Sequence, residues 1–247
     1  PYRRQRQMCI RDRYTARNNC GPLLRGFHGL GGIRMASIKK RSLVDQVYDR
    51  LRSDIISLRL PLGSRVNVNE LQDSLGVSCT PIREAINRLQ QEGLIAYENN
   101  VGARVLTLDA KDVEEITQLA TTLHCAAARL SMEREDHQVL AQHLAERLAE
   151  FEAARTPQQL AVGVHRFMEV FYVHCGNRRL DKSMLAIQGQ QLLLRNLYAA
   201  HDMDLSANLS DFRAMLAGVE HNQPEEICKA LEANAHRVEQ AVCEDLA

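Results

Sequence analysis

Two short amphipathic segments joined by a glycine-containing turn constrain the fold of this chain more than any other feature. The first segment places Leu71 and Leu75 on one helical face and is broken at Gly76. The second is expected to begin near Thr80 and Pro81, since threonine can cap a helix and proline suits its first turn. Its inward positions are all apolar: Ile82, Ala85, Ile86 and Leu89. This spacing predicts a helix-turn-helix, a motif whose second helix can enter the major groove of DNA.

Regular structure is also predicted on both sides of this pair. The preceding segment, SLVDQVYDRLRSDIISLRL, begins at Ser42, a good N-cap, and is closed by Pro61 and Gly63. Beyond Gly93, the stretch LIAYENNVGARVLTL has the pattern of two strands around an asparagine-containing turn, which is typical of a wing. Together these elements predict a winged helix-turn-helix domain over residues 35–108.

Candidate DNA contacts lie at the start of the second helix and on the wing. The first backbone amides of that helix and the hydroxyls of Ser78 and Thr80 can bind a phosphate, while Arg83 is long enough to reach a guanine edge. An arginine near the wing tip could enter a minor groove or meet a phosphate, although an ordinary hairpin would carry the same residues. We predict ten DNA-binding residues: Asn69, Ser78, Cys79, Thr80, Arg83, Asn87, Arg88, Asn100, Gly102 and Arg104.

The segment from Gly76 to Ile95, GVSCTPIREAINRLQQEGLI, resembles the helix-turn-helix motif of the GntR family of bacterial regulators. That motif runs G-V-S-R-T-P-V-R-E-A-L-x-R-L-x-x-x-G-L-V, and the similarity extends from Ser42 through GARV at 102–105. The resemblance implies a regulator that binds a double-stranded DNA operator. Nearly every position matches, and one departure matters, because the arginine of the motif is Cys79 here. We expect this change to weaken or re-aim binding by about 1–3 kcal/mol, the range of one good bidentate base contact.

The rest of the chain, residues 109–247, is predicted to be an all-α antiparallel bundle. Strand signals are absent, and breaks occur at Pro157, Gly176 and Pro224. Apolar residues recur at three-four spacing in six stretches, at about 109–134, 136–155, 157–175, 177–201, 208–221 and 224–245. The expected fold class is therefore mostly α, with an N-terminal winged helix-turn-helix domain and a C-terminal helical domain.

This second half resembles the FCD effector domain, in the linker LDAKDVEEI, the stretch FMEVFYVHCGN and the helix ALEANAH. Many such domains hold a divalent metal through an aspartate and three histidines. At those positions this chain has Val164, Met168 and Phe212, and only His236 is retained. One imidazole cannot supply the three or four ligands of a stable site, so we expect no metal and no cofactor.

Loss of the metal ligands leaves two possibilities for the FCD-like domain. Its cavity could accept a small apolar or acidic effector, or it could have filled with side chains and lost its ligand. The polar groups considered as anchors for a carboxylate or phosphate are Arg166, Arg195 and His236. The predicted effector-binding set is Val164, Arg166, Met168, Arg195, Phe212 and His236.

The first 34 residues show no helical or strand period and carry eight arginines against one aspartate. They could form a solvated basic arm, a clamp on the DNA backbone, or translated upstream sequence. We favour the third interpretation, in which residues 1–34 are non-native or disordered and the native chain begins at Met35. The net charge is +2 over 35–108 and −9 over 109–247, so the acidic part lies away from the predicted DNA-binding domain.

Composition restricts the function classes that remain. The apolar runs stay far short of the ~20 residues of a membrane helix, and seven cysteines without a CxxC pair indicate a reducing cytoplasm. No nucleophile arrangement, phosphate loop or Glu-x-x-His pair supports an enzyme. We therefore expect a cytoplasmic, homodimeric transcription regulator that senses a small molecule. The alternative is a DNA-bound scaffold without an effector, whose helical domain contacts another protein.

Overall fold

The computed structural model describes residues 41–98, 101–202 and 205–246. These residues divide into two compact units, and the boundary between them along the chain lies between Thr107 and Leu108. Within the described residues there are nine helices and one two-stranded sheet, which confirms the mostly α fold class. The predictions for residues 1–34 and for Asn100 lie outside the described residues.

The first unit contains α1 (Leu43–Ile56), α2 (Val68–Leu75), α3 (Cys79–Gln91), β1 (Ile95–Glu98) and β2 (Gly102–Val105). Ser42 caps α1, because its hydroxyl accepts a hydrogen bond from the Asp45 amide at 3.0 Å. Gly76 ends α2 in the left-handed conformation, with φ of 65°. The core is the contact of α1 with α3, where the buried side chains are Val47, Leu51, Ile55, Ile82, Ile86 and Leu89.

The start of α3 differs from the prediction by one or two residues. Thr80 was expected to cap this helix, but it lies inside the first turn, and Ser78 occupies the N-cap position with an extended backbone. The chain leaves Gly76 with only Val77 before that cap, so the turn is tighter than Pro81 alone suggested. The predicted inward face of the helix is as observed, because Ile82, Ala85, Ile86 and Leu89 are all buried.

The wing is an antiparallel pair in which Ile95 lies opposite Val105. A further piece of extended chain adds to its free side, because Arg65 forms a bridge with Arg104 of β2. In this bridge the Val66 amide donates to the carbonyl of Ala103 at 2.8 Å. No pattern in the sequence predicts this addition.

The second unit contains six helices: α4 (Ala110–Arg134), α5 (His137–Glu152), α6 (Pro157–His174), α7 (Arg178–Asp202), α8 (Leu205–Glu220) and α9 (Pro224–Leu246). Asp109 and Thr156 close capping boxes at the starts of α4 and α6. Packing of α4 against α6, α7 and α9, and of α5 against α6 and α8, encloses one large apolar core. Among the described residues, no helix is long and apolar enough to span a bilayer.

Candidate DNA-binding surface and ligand sites

The first turn of α3 combines free polar groups with a thiol that is already engaged. Ser78 and Thr80 are exposed, and the Ser78 hydroxyl makes no capping hydrogen bond. The Cys79 thiol donates to Oε1 of Gln72 on α2 at 2.8 Å. Cys79 therefore joins the two helices of the motif, whereas Ser78 and Thr80 remain available to a phosphate.

Further along α3, the predicted contacts separate into available and committed side chains. Arg83 and Asn87 are exposed and lie four residues apart, on the same helical face as Thr80. Arg88 instead pairs with Asp45 of α1 at 2.8 Å, which links α3 to the first helix. The hydroxyl of Ser42 and the Arg88 guanidinium hold the pKa of the Asp45 carboxyl below its usual value.

The predicted contact residues of the wing also differ in whether their side chains are available to DNA or held by internal contacts. Gly102 begins β2 with φ of 96°, a conformation that favours glycine. Arg104 donates to the carbonyl of Gly63 at 2.6 Å and pairs with Glu98 at 3.1 Å. Its guanidinium therefore holds the wing against the preceding loop. Asn69 is exposed on α2, and its backbone amide donates to Oδ1 of Asn67.

Three of the six predicted effector positions lie inside the core of the helical unit. Val164, Met168 and Phe212 are buried in one apolar cluster. The Phe212 ring stacks on Phe167 with centroids 4.6 Å apart and meets Phe151 edge-on at 4.9 Å. Side chains therefore occupy the space around these positions, as in the second possibility raised by the sequence.

The other three predicted positions are not brought to that cluster. Arg166 hydrogen-bonds to Glu150 at 3.3 Å, and His236 is exposed. The Arg195 guanidinium donates to Oδ1 of Asn234 at 2.7 Å, and burial lowers the pKa of Arg195 to about 10. The structure therefore does not assemble the six residues into one site.

Asn234 is the buried polar residue of α9 that sequence reasoning missed. Its side-chain amide donates to Asn208 and to Asp211, each at 2.9 Å, and Arg237 also hydrogen-bonds to Asp211. The sequence does contain a signal for the burial of Asn234. This residue falls on the apolar stripe of α9 that is formed by Ile227, Leu231, Val238 and Val242. His236 lies two residues further on and faces away from that stripe.

A second set of buried polar side chains joins α4, α6 and α7 by hydrogen bonds. Nε2 of His124 lies 3.3 Å from Oε1 of Gln191, and its Nδ1 lies 3.0 Å from the Tyr172 hydroxyl. Because the amide oxygen only accepts, Nε2 carries the proton and Nδ1 accepts from the tyrosine. Burial lowers the pKa of His124 to about 3, so its imidazole is neutral at physiological pH.

His236 lies in a polar groove of about 560 Å³ between α4 and α9. Its lining is Thr117, Gln118, Thr121, Thr122, Cys125, Arg129, Glu232, Ala235, His236 and Glu239. Arg129 is held by Glu225 through two hydrogen bonds of 2.8 and 3.1 Å. Within the described part of the chain, no three histidine, cysteine or acidic side chains are placed to bind a metal ion.

Comparison with known proteins covers both units. The profile of the bacterial regulatory proteins of the gntR family matches residues 43–105, and that of the FCD domain matches residues 115–237. The uncharacterized HTH-type transcriptional regulator YdhC of Bacillus subtilis is 35% identical over 95 residues, which are 38% of this chain and 42% of that protein. The probable D-xylose utilization operon transcriptional repressor of Paenarthrobacter nicotinovorans is 36% identical over 94 residues, or 38% and 42% of the two chains. The matches thus span less than half the length of these relatives.

One similarity extends over most of the molecule. The HTH-type transcriptional regulator McbR of Escherichia coli is 25% identical over 197 residues, which are 76% of this chain and 87% of that protein. The solved structure of E. coli McbR/YncC, 22% identical, covers 84% of this chain and 100% of its own with a TM-score of 0.68, which shows a shared fold. These relatives are regulators and not enzymes. The chain therefore belongs to the GntR family of DNA-binding transcription regulators, and its C-terminal unit is an FCD domain.

Proposed function

We propose that this protein regulates transcription in the cytoplasm by binding a double-stranded DNA operator as a homodimer. The supporting observation is the exposed face of α3, where Thr80, Arg83 and Asn87 follow one another at helical spacing beside free N-terminal amides. Such a face can hold a phosphate at the helix start and read base edges one turn later. The name of the P. nicotinovorans relative, an operon repressor, is consistent with repression.

A homodimer follows from the requirements of this type of reader. One recognition helix contacts only a few bases, and a pair related by twofold symmetry reads two half-sites of a pseudo-palindrome. Half-sites one helical turn apart would lie about 34 Å from each other.

Operator binding can be tested with the full chain and DNA taken from upstream of its own gene. We expect fluorescence anisotropy to find one fragment bound at least 1,000-fold more tightly than a random duplex, about the lower limit for specific binding. Sedimentation should give two chains per duplex. Equal affinity for all fragments, or one chain per duplex, would contradict the proposal.

We further propose that the helical unit senses a small molecule in the groove between α4 and α9. The volume of the groove, about 560 Å³, lies within the usual range for ligand pockets. Its threonine hydroxyls, His236 and carboxylates suit a polar ligand. An apolar effector at Val164, Met168 and Phe212 would have to displace packed side chains. The same packing favours the second candidate, a scaffold that has lost its effector.

A thermal-shift screen of polar metabolites separates the sensor from the scaffold. A ligand at 100 times its dissociation constant should stabilise the protein by about 2.7 kcal/mol. His236→Ala should remove this shift, while Arg213→Ala, an exposed change on α8 outside the groove, should retain it. A shift that survives His236→Ala would place the ligand elsewhere, and no shift with any metabolite would favour the scaffold.

A further inference from the structure

Most arginines of the first unit, which contains the helix-turn-helix and the wing, form ion pairs with acidic residues of the same unit. Residues 41–107 contain eight arginines, no lysine and eight acidic residues. Six of the arginines form ion pairs with carboxylates: Arg41–Asp49, Arg50–Asp54, Arg52–Glu92, Arg59–Asp54, Arg88–Asp45 and Arg104–Glu98. Among the described residues, Arg65 and Arg83 have no carboxylate partner. A phosphate approaching this unit would meet uncompensated charge at these two side chains.

Arg65 lies on the wing, although it is thirty residues before β1. Its bridge to Arg104 is flanked by two hydrogen bonds, from Val66 N to Ala103 O and from Val105 N to Ser64 O. This is the closely spaced, non-hydrogen-bonded type of antiparallel pair, in which opposed side chains project from the same face. Arg65 and Arg104 therefore lie side by side on the exposed face of the wing, opposite to the buried face that carries Val105.

The two neighbouring arginines differ in what they can offer to DNA. Arg104 would have to give up Glu98 and the Gly63 carbonyl before it could bind a phosphate. Arg65 is exposed and loses no ion pair when it binds an anion. It also lies two residues before Asn67, the N-cap of α2, and so between the wing and the helix-turn-helix. Its position thus joins two elements that are expected to meet DNA.

We propose that Arg65 supplies the contact of the wing with the DNA backbone, while Arg104 braces the wing. This inference rests on the proposed DNA-binding function. A guanidinium forms short, charge-assisted hydrogen bonds with phosphate oxygens and displaces a counterion from the duplex. Because backbone contacts carry no sequence information, Arg65 contributes equally to all sequences, in contrast to Arg83.

The test compares Arg65→Gln with the wild-type full chain on two duplexes of equal length. One duplex is selected from a random library by the wild type, and the other is its scrambled sequence. We expect Arg65→Gln to weaken binding to both duplexes by the same factor. Because a homodimer loses two phosphate contacts, one in each protomer, that factor should be about twelvefold smaller at 200 mM than at 50 mM salt. Arg179→Gln, an equal change of charge at an exposed position of α7, should bind as the wild type does.

The outcomes separate this inference from the function on which it rests. If the wild type prefers the selected duplex but Arg65→Gln binds as tightly at low salt, the Arg65 contact is wrong and the regulator stands. A loss confined to the selected duplex would make Arg65 a base-reading residue and also overturn the proposal. If the wild type enriches no duplex from the random library, both fail. Thermal unfolding of Arg65→Gln should match the wild type, because the replaced side chain is exposed and has no ion pair.

Discussion

Replacing Arg83 with alanine is expected to remove most of the preference of this regulator for its operator. Arg83 is exposed one turn into α3 and has no carboxylate partner among the described residues, so its guanidinium can reach a guanine edge without breaking an internal contact. A bidentate contact of this kind contributes about 1–3 kcal/mol in each half-site. A homodimer that loses it in both protomers loses about 2–6 kcal/mol, which corresponds to roughly 30- to 20,000-fold in operator affinity. Affinity for a random duplex should fall much less. Anisotropy titrations of both duplexes measure the difference.

Arg88→Ala is the matched control on the same helix. It removes the same charge, but Arg88 is paired with Asp45 of α1, and both side chains are partly exposed. The expected cost is below about 1 kcal/mol of folding free energy, with the sequence preference retained. If Arg88→Ala loses the preference as fully as Arg83→Ala, the assignment of Arg83 as the base-reading residue is wrong.

Replacing Phe212 with alanine is expected to destabilise the helical unit by about 3–5 kcal/mol. The ring is fully buried and contacts two other aromatic rings, those of Phe167 and Phe151. Its removal would leave a void that this close-packed core can fill only in part. Urea unfolding followed by circular dichroism measures the loss as a lower midpoint with an unchanged slope.

Arg213→Ala controls for the change of helix propensity at the neighbouring position. Arg213 is exposed and paired with Glu152 at the surface, so its replacement should cost less than about 1 kcal/mol. A cost for Phe212→Ala below the same limit would show that the ring is loosely held. The space around Val164 and Met168 would then be open to an apolar effector, contrary to the packing argument.

Only the folded structure shows which arginines are available to contact DNA and which are held by internal partners. Arg88 and Arg104 match the sequence pattern of DNA contacts as well as Arg83 does, but their partners Asp45 and Gly63 lie more than forty residues earlier. Arg65 carries no signal of its own, because its place on the wing depends on a bridge to Arg104 across thirty-nine residues. Charge compensation is set by distances between elements, and such distances are not encoded in local spacing.

The sequence by itself determined the elements of this protein: the helix-turn-helix, its wing and the six helices that follow. Hydrophobic periodicity and capping are local properties, since they depend on neighbours three or four residues away. The tertiary structure decided which side chains are free to act. It packed Val164, Met168 and Phe212 together, buried Asn234 and left His236 exposed, because a shift of two residues turns a helical side chain by about 200°.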